Sequence, residues 1–321
     1  MNKMNKVAIL TSGGDSPGMN SAIRSVVRYA LSHHISVVGV TYGYQGLIEK
    51  NFRDLNRKDV SNIISLGGTF LKTARSEDFY KKKWREKAFQ NMEQNGIDSY
   101  VVIGGDGSFR GALEFHKEFD FPVIGIPATI DNDVSGTQET LGFDTALNTA
   151  MDAIDKIRDT AYSMDRIFLV EVMGRESGAI AVHSALAGGA EDLVIPEIEH
   201  DIHRILNKVK KGRKSGKKSW IIILAEGSDV TMTLAQELRK HIKDVRVTVI
   251  GHIQRGGSPS AFDRVLGARF GRTAVDALLN GKTHHAVGWI NDNPTVYPLQ
   301  EAIKTKKEDF SKFLELVRIL T

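Results

Sequence analysis

The stretch VAILTSGGDSPGMN, residues 7–20, decides the fold, because it runs from an apolar strand through a glycine-rich turn into a helix. Pro17 suits the first turn of that helix, whose exposed backbone N–H groups can hold phosphate. The glycine spacing imitates a Walker A loop, but Met19 and Asn20 stand where Lys and Ser or Thr are required, which excludes the Walker mechanism. For this motif alone, a tight turn that needs glycine is the simpler alternative.

Outward from this stretch, short apolar runs rich in Val and Ile alternate with segments of helical periodicity. Runs that are apolar throughout predict parallel strands covered by helices on both faces. The sequence therefore predicts an α/β protein with doubly wound, mostly parallel sheets in three α/β/α layers. The candidate strands are Val7–Leu10, Val37–Val40, Tyr100–Ile103, Val123–Ile126, Ile167–Val172, Trp220–Leu224 and Val245–Ile250.

Two further polar motifs follow candidate strands, at the ends where ligands bind in such sheets. In Gly104–Ser108 the glycines let the backbone approach a polyphosphate, and Asp106 can hold Mg²⁺ directly or through water. Thr129–Asp133 crowds oxygen-bearing side chains at one strand end, where a carboxylate suits general-base work in phosphoryl transfer. Structural turns are the alternative for either motif alone, but together the motifs indicate a kinase acting on a small phosphorylated acceptor.

Cationic side chains near these motifs could neutralise a transferring phosphoryl group. Arg75 and Arg175 are the candidates, since guanidinium groups match phosphate oxygens geometrically. His252 and Arg255 precede a glycine pair after the last candidate strand and suggest a site for the acceptor. Taken singly, such residues are more often solvated charges or histidines bonded to backbone.

The composition of the chain bears on two questions: whether it binds nucleic acid, and in which cellular compartment it works. The net charge is +4, but its lysines and arginines concentrate in Lys81–Lys87 and Lys208–Lys218, which we interpret as solvated helix faces and turns. Without a recognisable nucleic-acid motif, no nucleic-acid partner is expected. The absence of cysteine and an early apolar run of only Val7–Leu10 predict a cytoplasmic protein with no membrane segment.

Taken together and in this order, the motifs resemble bacterial-type ATP-dependent 6-phosphofructokinase, from Val7 to about Asn291. The resemblance implies Mg²⁺-dependent transfer from ATP to the 1-hydroxyl of fructose 6-phosphate, giving fructose 1,6-bisphosphate in glycolysis. It also implies a homotetramer with sites shared at subunit interfaces. A pyrophosphate-dependent or other small-molecule kinase, or a sugar-phosphate sensor without turnover, remains the alternative.

The resemblance also assigns roles residue by residue. Asp131 resembles the base, with Thr129 and Asp133 beside it, and Arg75 and Arg175 resemble the cations that stabilise the phosphoryl group. The nucleotide positions are Gly14, Arg75, Ser76, Gly105, Asp106, Gly107 and Ser108, with Asp106 as the magnesium position. The fructose 6-phosphate positions are Thr129, Asp131, Met173, Gly174, Arg175, Glu226, His252 and Arg255, joined by Arg166 and Arg246 from a neighbouring subunit.

Two Rossmann-like lobes follow from the same resemblance. Residues 1–138 with 256–301 would bind nucleotide, and residues 139–255 with 302–321 would bind sugar phosphate. An allosteric site for ADP or phosphoenolpyruvate is implied at Arg24, Arg28, Arg57, Arg158, Gly189, Glu191 and Lys217. Ser215 and Ser219 depart from the family's lysine and histidine there, and we therefore expect weak effector control.

The donor is expected to be ATP rather than pyrophosphate. Gly107 leaves room for the inner phosphate and sugar of a nucleotide, where pyrophosphate-using relatives carry Asp. Ala128 stands where those relatives commonly carry a lysine, so the cation that would replace missing nucleotide contacts is absent.

Overall fold

The computed structural model describes residues 4–306 and 308–320, and the chain divides into two compact units. Unit 1 comprises Met1–Thr145 and Arg255–Lys307, and unit 2 comprises Ala146–Gln254 and Glu308–Thr321. The first division falls after Thr145 rather than after residue 138, since Gly142 and Thr145 are hydrogen-bonded to a carboxylate of unit 1.

Seven strands follow the apolar runs of the sequence, and the described residues contain four further strands that these runs did not predict. In chain order they are β1 (Lys6–Thr11), β2 (Ser36–Val40), β3 (Phe52–Leu55), β4 (Ser99–Gly104), β5 (Val123–Pro127), β6 (Ile167–Val172), β7 (Asp192–Val194), β8 (Trp220–Ala225), β9 (Val245–Val249), β10 (His285–Ile290) and β11 (Asn293–Pro298).

Helices connect most of these strands. They are α1 (Met19–Ser32), α2 (Gly43–Glu49), α3 (Lys82–Gln94), α4 (Asp106–Phe119), α5 (Phe143–Ser163), α6 (Ala179–Ala187), α7 (Ile202–Lys214), α8 (Thr231–Arg239), α9 (Ala261–Leu279), α10 (Leu299–Ala302) and α11 (Ser311–Leu320). Short 3₁₀ helices occupy Asp78–Tyr80, Glu226–Ser228 and Gly251–Arg255.

Unit 1 is built on a sheet of order β11-β10-β5-β4-β1-β2-β3. Strands β1, β2, β4, β5 and β10 pair in parallel, and the edge strands β3 and β11 pair antiparallel. The strand order reverses between β1 and β4, which leaves a crevice at their carboxyl ends where doubly wound folds bind ligands. The predicted fold class, α/β with mostly parallel sheets, is confirmed.

The alternation of side chains along β1 produces two cores. Val7 and Ile9 lie with Phe270 of α9 in one buried cluster, and Ala8 and Leu10 lie with Phe109 of α4 in the other. Successive strand residues point to opposite faces, so an apolar run on a central strand feeds both clusters. Burying each large apolar side chain stabilises the fold by about 1.5–3 kcal/mol, which fixes β1 and β4 as a rigid base for the loops that follow them.

Unit 2 has a smaller sheet, of order β7-β8-β6-β9, in which all pairs are parallel. Ile167 and Leu169 of β6 pack in one buried cluster with Val209 of α7 and Leu234 of α8. Helix α6 packs against β8, and α11 packs against α6. The chain runs from β6 to β7 and β8 on one side of β6, and then crosses to β9 on its other side. The carboxyl end of β6 is therefore again a point where the strand order reverses.

Among the described residues, no helix combines the length and apolar character that crossing a membrane requires.

Asp263, in the first turn of α9, is a carboxylate with no exposed surface. Burial raises its pKa to about 6, because the charged form loses its hydration. The native state therefore holds this proton more tightly than the unfolded chain does. It follows that the free energy of unfolding falls as pH rises from the ordinary value of 3.8 to about 6, and is level above it.

We expect Asp263→Asn to remove this pH dependence. Between pH 4.5 and pH 7, the free energy of unfolding of the wild type should fall by about 2 kcal/mol relative to that of the variant. Urea unfolding at both pH values measures the difference, and Asp276→Asn, further along the same helix, serves as the control that follows the wild type. A constant difference between wild type and Asp263→Asn would contradict the assignment.

Candidate active site

The loop after β1 and the loop after β4 meet at the reversal point of the unit 1 sheet. Ser12 donates its N–H to Ile103 O at 3.0 Å, and Ser108 Oγ donates to Ser12 O at 2.9 Å. Gly104 has no room for a side chain, since a Cβ would lie 2.4 Å from Ser12 O. The predicted nucleotide positions Gly14 and Gly105 to Ser108 therefore lie on two joined loops.

Helix α4 begins inside this arrangement, at Asp106. Its free N–H groups and dipole favour an anion. Gly107 faces open space, with nothing within 4 Å of an added Cβ. The Asp106 carboxylate has Arg110 Nε at 3.4 Å and is half-exposed, so it can still accept a ligand.

The segment around Arg75 is anchored on both sides. Thr73 Oγ1 donates to Gly13 O at 2.9 Å, and Ser76 Oγ donates to Gln45 Oε1 at 2.7 Å. Arg75 itself is exposed between these anchors. The structure thus brings a guanidinium-bearing residue next to the loop after β1, as the grouping of Arg75 with Gly14 predicts.

Arg255 also lies at this loop. Its Nη2 donates to Asp15 O at 2.8 Å, and its Nε lies 3.5 Å from Asp15 Oδ1. An added Cβ on Gly14 would lie 1.9 Å from Arg255 Nη2, so the guanidinium lies directly over this glycine. The sequence grouped Arg255 with the sugar-phosphate residues, whereas in this structure its guanidinium rests on the Gly14–Asp15 turn.

Asp131 lies just beyond the end of β5, with 3% of its surface exposed. Its N–H donates to Thr129 Oγ1 at 3.2 Å, which ties the turn to its own first residue. Thr129 also neighbours the loop after β4, since its Cβ lies 3.9 Å from the Cβ position of Gly105. A buried carboxylate beside glycine-rich, anion-binding loops is an arrangement suited to proton transfer next to phosphate.

In unit 2, predicted sugar-phosphate residues converge at the carboxyl ends of β6 and β8. Glu226 Oε1 accepts hydrogen bonds from Arg175 N at 2.8 Å and from Gly174 N at 3.3 Å. Gly174 has φ 145 and Arg175 has φ 52, both in the left-handed half of backbone space. Glu226 therefore holds a sharp turn that begins at Met173 and presents the Arg175 side chain.

His252 follows β9 in a 3₁₀ helix, with its ring exposed. The next but one residue, Gln254, is fully buried, and its Oε1 accepts the N–H of Met173 at 2.8 Å. This bond fastens the segment that carries His252 to the turn at the end of β6. The sequence analysis missed Gln254, although it lies between the candidate residues His252 and Arg255.

Arg166 and Arg246 are not brought to this end of the sheet. Arg166 directly precedes β6, and Arg246 lies in β9 opposite Phe168, near the amino end of β6. Met173 directly follows β6. At about 3.3 Å per strand residue, Arg166 and Met173 are roughly 20 Å apart within one chain.

The predicted effector residues form two groups, one in each unit. In unit 2, Lys217 Nζ lies 3.1 Å and Arg158 Nη1 lies 3.9 Å from Glu191 Oε1, and Arg158 also donates to Gly189 O at 2.9 Å. In unit 1, Arg28 Nη2 donates to Arg57 O at 3.3 Å. Arg24 lies near Arg28, and burial together with that charge lowers its pKa.

Asn20 is another residue whose role the sequence did not reveal. Its Oδ1 accepts Phe70 N at 2.6 Å and its Nδ2 donates to Leu66 O at 3.0 Å. It thereby pins residues 66–70 to the start of α1, just before the segment that carries Arg75. In the sequence, a polar residue in the first turn of a helix looks like an ordinary cap, so its hydrogen bonds to residues 66–70 could not be predicted.

Glycine-rich loops at the strand ends of two doubly wound sheets, with a buried carboxylate beside one pair of loops, define an α/β protein suited to phosphorylated small molecules. A family model described as phosphofructokinase matches residues 6–278. The chain belongs to the phosphofructokinase family.

Curated relatives match over nearly the whole length. The ATP-dependent 6-phosphofructokinase of Shouchella clausii is 51% identical over 302 residues, which cover 94% of this chain and 94% of the relative. The ATP-dependent 6-phosphofructokinase of Halothermothrix orenii is 47% identical over 331 residues, which cover 99% of this chain and 100% of the relative.

Solved structures share the fold. Phosphofructokinase from Saccharomyces cerevisiae matches with a TM-score of 0.89 and 35% identity, over 93% of this chain and 45% of the yeast chain. This chain thus spans less than half of that larger protein. A pyrophosphate-dependent phosphofructokinase from Marinobacter aquaeolei has a TM-score of 0.85 at 22% identity, over 99% of this chain and 91% of that one. At that identity the likeness concerns the fold alone.

Proposed function

We propose that this chain transfers the γ-phosphoryl group of ATP to the 1-hydroxyl of fructose 6-phosphate, giving fructose 1,6-bisphosphate and ADP in glycolysis. The observation that carries the proposal is the buried Asp131 after β5, in the turn whose Thr129 contacts the glycine-rich loop at Gly105. The relatives named ATP-dependent 6-phosphofructokinase support it. A cysteine-free enzyme of glycolysis suits the cytoplasm.

Unit 1 supplies the nucleotide positions and the base. Gly14 and the Gly105–Ser108 loop hold phosphates through backbone N–H groups, together with Arg75 and Ser76. Asp131 accepts the proton of the attacking hydroxyl, because phosphoryl transfer asks the protein for positioning, charge neutralisation and a base. Thr129, whose hydroxyl accepts the N–H of Asp131, keeps this carboxylate at its place.

Unit 2 supplies the sugar-phosphate positions Met173, Gly174, Arg175, Glu226 and His252. The Glu226 bonds to the backbone of Gly174 and Arg175 support this assignment, since they fix the turn from which the guanidinium extends. A guanidinium there matches phosphate oxygens and stabilises the charge that develops on transfer.

Asp106 is the position proposed for magnesium. In kinase sites Mg²⁺ takes one or two carboxylates and completes its coordination with substrate phosphates and water. A single half-exposed carboxylate at the start of α4, beside the phosphate-binding loop, fits that donor set. When bound there, the ion would offset the negative charge of the nucleotide phosphates.

A coupled assay with purified protein tests the function and its alternatives. Fructose 6-phosphate is titrated with ATP, GTP or pyrophosphate as donor, and ADP and fructose 1,6-bisphosphate are measured. We expect turnover with ATP and little with pyrophosphate. Comparable kcat/KM for ATP and pyrophosphate would favour the pyrophosphate-dependent alternative, and binding without turnover would favour a sensor.

We also propose that the enzyme is a homotetramer in which Arg166 and Arg246 serve a neighbouring subunit. Their position near the amino end of β6, roughly 20 Å from Met173 within the same chain, supports this proposal. Such side chains would bind the 6-phosphate, which does not react, so their binding energy should appear mainly in KM.

Arg246→Ala is expected to raise KM for fructose 6-phosphate by roughly 10- to 100-fold, since a charge-assisted hydrogen bond contributes about 1.5–3 kcal/mol. Lys243→Ala, which removes an exposed cation nearby, should leave KM unchanged. Mixing Arg246→Ala with Asp131→Ser should restore some activity through hybrid sites. Failure to complement in tetramers proven to be mixed would show that each site is built within one chain.

Effector control by ADP and phosphoenolpyruvate is expected to be weak. Ser215 ends α7, and its Oγ donates back to Lys211 O at 3.2 Å, so this position adds no cation to the Lys217 and Glu191 group. Regulation needs different affinity in two states rather than binding alone.

We expect millimolar phosphoenolpyruvate to shift half-saturation by fructose 6-phosphate less than about fivefold, the lower end of typical allosteric coupling. Ser215→Lys is the matched variant, and it should increase that shift. A large shift with a steep sigmoid curve in the wild type would prove the expectation wrong.

A further inference from the structure

Asp263 is a buried carboxylate in a place where acidic residues are usually exposed. Acids in the first turn of a helix favour the helix dipole from the surface, where their charge stays hydrated. Here the side chain has no exposed surface, and Ser260, the residue that caps α9, accepts the N–H of Asp263 at 3.1 Å. Burying this charge costs free energy. The hydrogen bonds that offset this cost indicate what the carboxylate does.

Both carboxylate oxygens accept hydrogen bonds from one distant segment. Oδ1 accepts Gly142 N at 2.8 Å, and Oδ2 accepts Thr145 N at 2.9 Å together with the Thr145 hydroxyl. Thr145 Oγ1 in turn accepts Ser260 N at 3.0 Å. Residues 142–145 are thereby fastened to the start of α9.

That segment continues directly from residues that support the turn of Asp131. Leu141 N donates to Pro127 O at 3.1 Å, and Thr140 Oγ1 lies 2.7 Å from Thr129 O. Asn132 Nδ2 donates to Gln138 O at 3.0 Å. Residues 138–141 therefore hold both ends of the turn, and Asp263 holds the residues that follow them.

The loop after β1 reaches the same junction. Ser16 Oγ donates to Leu141 O at 2.9 Å, and an added Cβ on Gly142, which has φ 100, would lie 2.7 Å from Ser16 Cβ. An added Cβ on Gly18 would lie 3.3 Å from Asp263 Cβ. One carboxylate thus stands where the segments after β1 and β5 pack against α9.

We propose that Asp263 is a positioning residue, which fixes the turn carrying Asp131 relative to the glycine-rich loops by anchoring residues 142–145. The proposal rests on the proposed function, in which Asp131 is the base. Asp263 acts through the segment and touches no substrate. Because a displacement of about 1 Å at a reacting group can lower the rate about 100-fold, loosening this anchor should affect catalysis more than binding.

Asp263→Asn tests the proposal. An amide costs less to bury than a carboxylate, but its NH₂ group faces an N–H donor where the carboxylate had an acceptor. We expect kcat to fall about 10- to 100-fold, while KM for ATP and for fructose 6-phosphate changes less than about threefold. Asp276→Asn is the matched control on the same helix, since the Asp276 carboxylate accepts the Tyr29 hydroxyl of α1, and this variant should keep the wild-type kcat.

Thr145 offers a second pair of variants that spares the carboxylate. Thr145→Val removes a hydroxyl that donates to Asp263 and should lower kcat in the same way, by a smaller factor. Thr145→Ser keeps the hydroxyl and should retain nearly full kcat. If Asp263→Asn does not fold, this pair decides the question by the same measurements.

Amide hydrogen exchange separates failure of this proposal from failure of the proposed function. In Asp263→Asn, exchange should accelerate in peptides covering residues 128–145 and stay at the wild-type rate in β4 and β6. Wild-type protein without turnover would refute the proposed function, and the exchange pattern would still decide the positioning role. Unchanged kcat in the variant, or exchange that accelerates uniformly along the chain, would overturn the inference.

Discussion

Asp131→Ser is expected to lower kcat by about 10²–10⁴ while KM for fructose 6-phosphate stays close to the wild-type value. A base takes the hydroxyl proton only as the bond to phosphorus forms. Its removal therefore raises the free energy of the transition state and leaves binding of the substrate in the ground state nearly unchanged. Asp131 is 3% exposed, so little water can reach its position and take over the role of the base.

Steady-state kinetics with saturating ATP measure this effect, and isothermal titration of fructose 6-phosphate measures binding separately. Asp54→Ser, which removes a carboxylate with 86% of its side chain exposed on β3, is the matched control and should behave as the wild type. A wild-type kcat in Asp131→Ser would remove Asp131 from the mechanism.

Gly107→Asp is expected to lower kcat/KM for ATP by about 10³ without unfolding the protein. A carboxylate about 4 Å from a nucleotide phosphate would be repelled by about 4 kcal/mol at the effective dielectric constant near a protein surface. The fold should tolerate the change, because nothing lies within 4 Å of a Cβ at Gly107.

Gly107→Ala separates charge from bulk in this prediction. Alanine fills the same open space without charge, and alanine also favours a helix over glycine, so its kcat/KM should stay within a few-fold of wild type. Melting temperatures of both variants verify folding. If alanine and aspartate reduce kcat/KM equally, steric exclusion rather than phosphate repulsion explains the requirement for glycine.

Local motifs explain how much could be predicted from the sequence. Each candidate strand corresponds to an observed one, from β1 at Lys6–Thr11 to β9 at Val245–Val249, because a continuous apolar run marks a strand buried on both faces. The strands β3, β7, β10 and β11 were missed. Strands β3, β7 and β11 lie at sheet edges and are short or interrupted by proline, so they carry no such run. Strand β10 lies inside the sheet, but Gly288 interrupts its apolar residues.

Long-range contacts explain what could not be predicted. In the sequence, Asp263 looks like an ordinary acidic residue in the first turn of a helix. In the structure its hydrogen-bond partners Gly142 and Thr145 are 121 and 118 residues away along the chain. The place of Arg255 over Gly14 likewise depends on packing between residues far apart in sequence. Periodicity reports which face of an element is buried, but not which segment covers it.

Three of the four sheet edges, β11, β3 and β7, are poorly suited to pairing with another chain. An exposed edge strand offers unpaired N–H and C=O groups to another chain. Strand β11 carries Pro294 and Pro298, which lack an N–H to donate, and β3 exposes Arg53 and Asp54. The unit 2 edge β7 has only three residues. These three edges give another chain few partners for pairing, which lowers the tendency to sheet-to-sheet association during folding.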